Sequence, residues 1–233
     1  MYYTNKRLIL FISSLLFFAQ YQSRAQSALK WEPEFSYTMG AFEHWSFNAK
    51  INGRNVWTEK DENSQRDYAW EQIETQIFAD YEFFNESEFG IGYNYTWEGP
   101  FNTEVKGYEH RFMQQYAFVS FSGARRIAHR IRTEQHFQHD GFENRFRYRI
   151  SYDFPLNGRL LDDGEKYIIL SNEVLWSFNA IMHELNNRAY VGLGWFFNNK
   201  RKLETGIQYR LEGFNQAGAE SIFHLVTSYY INQ

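Results

Sequence analysis

The sequence has no cysteine, only three prolines, and little net charge for its 233 residues, −4. The missing cysteines exclude a disulfide framework and a thiolate metal site. The mild charge gives no reason to expect a nucleic-acid partner. No segment sustains a 3.6-residue apolar period. Beyond residue 25 no apolar run reaches the ~20 residues that a membrane-crossing helix needs. Low-complexity linkers and breaks in composition are absent too, so residues 26–233 read as one domain.

Aromatic residues are what the chain has in excess. Phe, Tyr and Trp make up 20% of it, with 23 Phe, 17 Tyr and 7 Trp, yet its mean hydropathy is that of a polar protein. Those two facts conflict for a globule with one apolar core. They agree for a wall with one apolar face and one polar face.

Residues 1–25, MYYTNKRLILFISSLLFFAQYQSRA, have the three parts of a secretory signal peptide. Lys6 and Arg7 give a basic start and Leu8 to Ala19 a short apolar run. Ser23 and Ala25 are small residues at −3 and −1 of a cleavage site. The apolar run is too short for a membrane anchor. Cleavage removes Lys6, Arg7 and Arg24 and no acid, which takes the net charge from −4 down by three to −7.

The remainder alternates with period 2. In ENRFRYRISYDF (143–154) Phe146, Tyr148, Ile150, Tyr152 and Phe154 share one face, and Arg145, Arg147 and Arg149 the other. Eleven such runs stand out: 29–38, 45–57, 67–84, 88–98, 108–122, 126–137, 142–154, 167–178, 188–198, 202–213 and 221–231. Many reach 10 residues or more, long for a soluble strand and suited to a tilted membrane-spanning one. Links of alternating length, short near 40–44, 85–87, 123–124 and 198–200, fit periplasmic turns and extracellular loops. The 155–165 link is long where a short one is due. The pattern therefore predicts an all-β, antiparallel transmembrane β-barrel in a bacterial outer membrane. Twelve strands are expected, with ten as the alternative, because single-chain bacterial barrels have even counts. A secreted soluble β-sandwich or lipocalin-like barrel is the competing architecture.

This reading turns the arginine face into the lumen, since an arginine facing lipid at mid-bilayer costs about 2–4 kcal/mol. The expected lumen-lining residues are Arg54, Arg130, Arg132, Glu134, Glu143, Arg145, Arg147, Arg149, Glu173, Glu204, Arg210 and Glu212. Mixed signs suit an ion-pair network that fills a small barrel, or a narrow charge-lined passage favouring small anionic solutes. Outer-membrane lipids on the outside, and the barrel-assembly machinery reading the last run, SIFHLVTSYYINQ, are the other expected partners.

The alternative activity is a lipid acyl hydrolase or transferase. It needs a nucleophile, a histidine base and an orienting group within hydrogen-bond reach. His139 with Asp140 and His183 with Glu184 are the loop candidates, without a serine in recognisable relation to either. His110 and His136 read as members of the charge network, and His129 as an interruption of an apolar face near a rim. Metal-ligand spacing, spaced-aspartate loops and phosphate-binding glycine loops are not found, so no metal, cofactor or catalytic residue is expected. Gly90, Gly92, Gly192, Gly194 and Gly206 alternate within strands, where they give room to neighbouring long side chains or allow curvature.

The elements WSFNAKINGR (45–54), EHRFMQQ (109–115), HRIRTEQHF (129–137), RFRYRI (145–150), NEVLW (172–176), RAYVGLGWFFN (188–198) and KLETGIQYR (202–210) resemble, in this order, an uncharacterised outer-membrane barrel family known as domain of unknown function 2490. The resemblance covers essentially all of the chain after residue 25. It implies a signal-bearing β-barrel of Gram-negative outer membranes. The family has no established activity, so it implies no site residue.

Overall fold

A computed structural model describes residues 24–57, 68–83, 86–101, 107–122, 125–139, 141–157 and 161–233. The expected signal segment lies outside them except for Arg24 and Ala25, which open the first strand. Among the described residues there are eleven strands and no helix. They are β1 (Arg24–Phe42), β2 (Trp45–Trp57), β3 (Tyr68–Phe83), β4 (Ser87–Glu98), β5 (Gly107–Ser122), β6 (Arg125–Gln138), β7 (Gly141–Pro155), β8 (Lys166–Phe178), β9 (His183–Asn198), β10 (Arg201–Glu212) and β11 (Glu220–Asn232). Each pairs antiparallel with the next, and β1 and β11 close the barrel.

The closure corrects two expectations. Among the described residues there are eleven strands, not twelve or ten, and the sheet is not wholly antiparallel. An odd count makes β1 and β11 run the same way, and they pair in parallel from Leu29↔Phe223 to Thr38↔Asn232. The eleven alternating runs correspond to the eleven strands.

The ends of β1, β3, β5, β7 and β9 and the starts of β2, β4, β6, β8 and β10 fall at one rim, called here the short-turn rim. The ends of β2, β4, β6, β8 and β10 and the starts of β3, β5, β7, β9 and β11 fall at the other, the long-loop rim. The described end of the 156–165 link returns to the sheet. Gly164 N donates to Phe196 O at 2.8 Å, and Phe196 N to Glu165 O at 2.8 Å. β9 starts at His183, before the expected 188. Its early polar residues are held by the wall: Asn187 bonds Asn172 across the strands at 3.0–3.1 Å, and Asn186 Oδ1 accepts from Gly213 N at 2.6 Å.

The alternation sends opposite chemistries to opposite faces. Outward, aliphatic residues stand exposed midway along strands, such as Ile77 (60%), Ile91 (56%), Val191 (52%) and Ile207 (54%). Aromatic pairs flank them. Trp45 and Tyr81 meet edge-on at 5.1 Å towards the short-turn rim, and Phe137 and Phe142 lie 5.0 Å apart towards the long-loop rim. Inward, the buried apolar side chains are few: Phe78, Met113, Tyr167, Ile169 and Leu175 are among them. Two glycines make space for such residues. A Cβ on Gly194 would fall 2.2 Å from the Tyr167 ring, and one on Gly92 would fall 2.6 Å from the Phe78 ring. The interior is therefore packed mainly by polar groups, and that is where chemistry concentrates.

Candidate functional site: the barrel lumen

The barrel encloses a cavity of about 710 Å³. Period-2 alternation brings one face of every strand to it. Arg54, Arg130, Arg132, Arg145, Arg147, Arg149, Glu173, Glu204, Arg210 and Glu212 line it. Glu134 lies behind this lining, fully buried. Glu143 sits beside it, half-buried and paired with Arg145 at 2.9 Å.

Ion pairs run across the strands as a continuous chain. Glu173 binds Arg130 at 3.0 Å and Arg147 at 2.6 Å. Arg147 reaches on to Glu134 at 2.8 Å, which also faces Arg132 at 3.7 Å. The two ring nitrogens of His136 lie 3.0 Å from Glu134 and 3.0 Å from Glu109. Glu109 binds Arg111, which approaches Glu74 at 3.9 Å. Gln72 links Glu74 to Arg54, with bonds of 2.7 and 3.2 Å. Arg54 binds Glu32 at 2.6 Å, and Glu32 also binds Arg210 and faces His224 at 3.2 Å. Towards the short-turn rim, Tyr167 donates to Glu204 at 2.7 Å and Lys202 pairs with it at 3.1 Å.

Such a chain keeps buried charge tolerable. An isolated buried ion is costly, whereas a paired and hydrogen-bonded one can break even. Glu32, Glu74, Glu109, Arg111 and Arg188 belong to the lumen and were missed as site residues by the sequence reading. Each stands at the polar parity of its strand, so continued alternation was a usable signal.

The charges are not evenly spread. On β1–β5 the cavity lining holds seven carboxylates against three bases. On β6–β11 it holds eight bases against four carboxylates. The lumen thus has an acidic wall facing a basic one.

The histidines sort differently from the sequence expectation in two respects. His136 is a network member, but His110 is not: it faces outward, 2.6 Å from the Tyr93 hydroxyl and among Tyr95 and Tyr108. His139 is exposed in its turn, and its partner Asp140 lies outside the described residues. His183 opens β9, and Glu184 accepts from Asn186 at 2.7 Å. Neither loop histidine has a serine partner among the described residues. The histidine that does is His129, on the outer face, with Ser120 Oγ at 2.8 Å from Nε2 and Tyr148 Oη at 2.8 Å from Nδ1. Phe118 stacks on its ring at 4.7 Å. A phenol in place of a carboxylate cannot stabilise an imidazolium as a catalytic triad requires. The trio instead satisfies polar groups on an apolar surface. No group of three or more potential ligands is placed to hold a metal among the described residues.

Fold and lumen together define a closed all-β barrel with an apolar exterior and an ion-paired, solvent-sized interior. The chain belongs to the family described as protein of unknown function (DUF2490), whose model matches residues 33–219. No curated protein and no solved structure matches it.

Proposed function

We propose that this protein is a Gram-negative outer-membrane β-barrel, delivered by a cleaved signal peptide, whose lumen is a narrow passive pathway for small polar solutes. The observation that carries this reading is the inversion of the usual globule. Exposed aliphatic and aromatic side chains cover the outside, while charge and a cavity of about 710 Å³ occupy the inside. In water that exterior is an unpaid hydrophobic surface; in a bilayer it is the required one, with aromatic residues near the rims as such barrels carry them. Closure supports the same reading, because every strand finds two partners and no backbone edge is left for lipid to meet. Outer-membrane lipids are the partners of the exterior, and the barrel-assembly machinery is the partner during biogenesis. No reacting group is needed for passive passage, and the lumen offers fixed charges to sort solutes.

The test is reconstitution of the detergent-folded protein in planar bilayers. Folding is established first by a heat-dependent shift on cold-detergent gels. Discrete current steps are expected. A protein that shows the gel shift but gives no current has a closed lumen, and the pathway must then be abandoned in favour of a structural barrel. A protein soluble without detergent and lacking the shift removes the membrane reading altogether.

A further inference from the structure

The basic wall contains one row in which pairing fails. Strand register places Arg130, Arg149, Glu173, Arg188 and Arg210 side by side on β6 to β10. Four cations therefore share one carboxylate in that row. Both oxygens of Glu173 are already taken, one by Arg130 and the other by Arg147 of the neighbouring row. Arg210 is satisfied by Glu32 and Gln208. Arg149 and Arg188, which flank Glu173 on either side, line the cavity and have no hydrogen bond or ion pair among the described residues. The Nε–H of Arg188 is buried without an acceptor.

We propose that Arg149 and Arg188 form a binding site for a small oxyanion of the phosphate or carboxylate type. The site rests on the lumen reading above and names what that lumen holds. A guanidinium is a planar, permanently charged fork of donors, the group best suited to oxyanions. β7 and β9 are two strand spacings apart, about 10 Å, so both side chains can lean towards one ion seated above Glu173. An unpaired cation beside Arg130, Arg147 and Arg210 suffers repulsion that a bound anion relieves. Ser151 lines the same cavity one alternate position further along β7, and its hydroxyl adds an orienting donor; the Tyr190 ring leans the other way, over Gly192. Of the four acids lining this wall, Glu173 stands in the row with both oxygens taken, Glu212 lies beyond Arg210 towards the long-loop rim, and Asp153 and Glu204 lie closer to the short-turn rim, where Lys202 pairs with Glu204.

The test is calorimetric titration of inorganic phosphate into detergent-folded protein, at constant ionic strength. Wild type is expected to bind about one phosphate per barrel. Arg149→Gln and Arg188→Gln should each weaken binding about tenfold or more, as the loss of a charge-assisted hydrogen bond implies. Arg149→Lys should recover part of the loss, and Arg126→Gln, a substitution in an exposed pair with Glu86, should change nothing. Phosphate should also raise the temperature at which wild type loses its fast-migrating gel form, an effect that needs no variant. Absence of binding and of thermal protection in folded wild type overturns the site, as does binding that survives both glutamine substitutions. Phosphate binding without bilayer current keeps the site and removes the pathway; current without phosphate binding does the reverse.

Discussion

The two walls of the lumen are built by the same alternation and carry opposite charge. On β1–β5 carboxylates outnumber bases, and on β6–β11 bases outnumber carboxylates. The walls meet at two joints. At one, His136 sits between Glu109 and Glu134 across β5 and β6. At the other, Glu32 of β1 joins Arg54 of β2 to Arg210 of β10. The carboxylates and bases at these joints are paired, whereas Arg149 and Arg188, inside the basic wall, are not. The difference separates two uses of one residue type. Arginines tied into the ion-pair chain hold the barrel together, and Arg149 and Arg188 present charge to whatever occupies the cavity.

Substitutions can break this division in graded steps. Glu134→Gln should cost most. It leaves Arg132 and Arg147 beside a neutral group in a fully buried position, and loss of one member of a buried pair costs about 3–5 kcal/mol. The expected result is a much lower midpoint in urea unfolding of the detergent-folded barrel. Glu32→Gln opens the second joint, at a less buried carboxylate, and should cost about 1.5–3 kcal/mol by the same measurement. Arg149→Gln should change stability by no more than about 0.5 kcal/mol, since it breaks no bond and removes a repulsive charge. Its effect should appear instead as a shift of the bilayer reversal potential towards cations. Equal destabilisation by Arg149→Gln and Glu134→Gln would erase the distinction between joint and wall. The mildest manipulation is salt. Raising it from about 0.1 M to about 1 M shortens the screening length from about 10 Å to about 3 Å. Ion selectivity set by the two walls should fade while the folded fraction, measured by the gel shift, holds.

The architecture was legible to the degree that it depends on local alternation. Strands such as ENRFRYRISYDF announce two faces from neighbouring residues alone, and all eleven strands were visible as runs. Their closure was not visible, because whether the first and last strands run alike depends on the count as a whole. A rule about even counts outweighed the direct reading and misled it. The membership of the lumen was partly legible too, through parity. Partnership within it was not. Arg210 binds Glu32, 178 residues away in sequence, and Arg130 binds Glu173 at a separation of 43; both depend on register and on barrel curvature. For the same reason the sequence grouped Arg147 with Arg149 as equals, although two residues along one strand separate a cation with two carboxylates from one with none. His110 was misassigned because its neighbour Arg111 is polar; the strand turns the two to opposite faces.

The parallel closure has a consequence for the proposed membrane setting. The start of β1 lies at the long-loop rim, while Gln233, which bonds the backbone of Thr38 at 2.9 Å, lies at the short-turn rim. In a barrel with an even number of strands both chain ends lie at the same rim, so two epitopes appended there meet the same antibody pool. Here an epitope ahead of Leu29 and another after Gln233 face opposite sides. On intact cells one should be stained and shaved by added protease, and the other should be reached after the envelope is opened. The odd count that makes the seam parallel thus puts the two ends of the chain at opposite rims, and in the proposed membrane setting it makes them reporters of two different spaces.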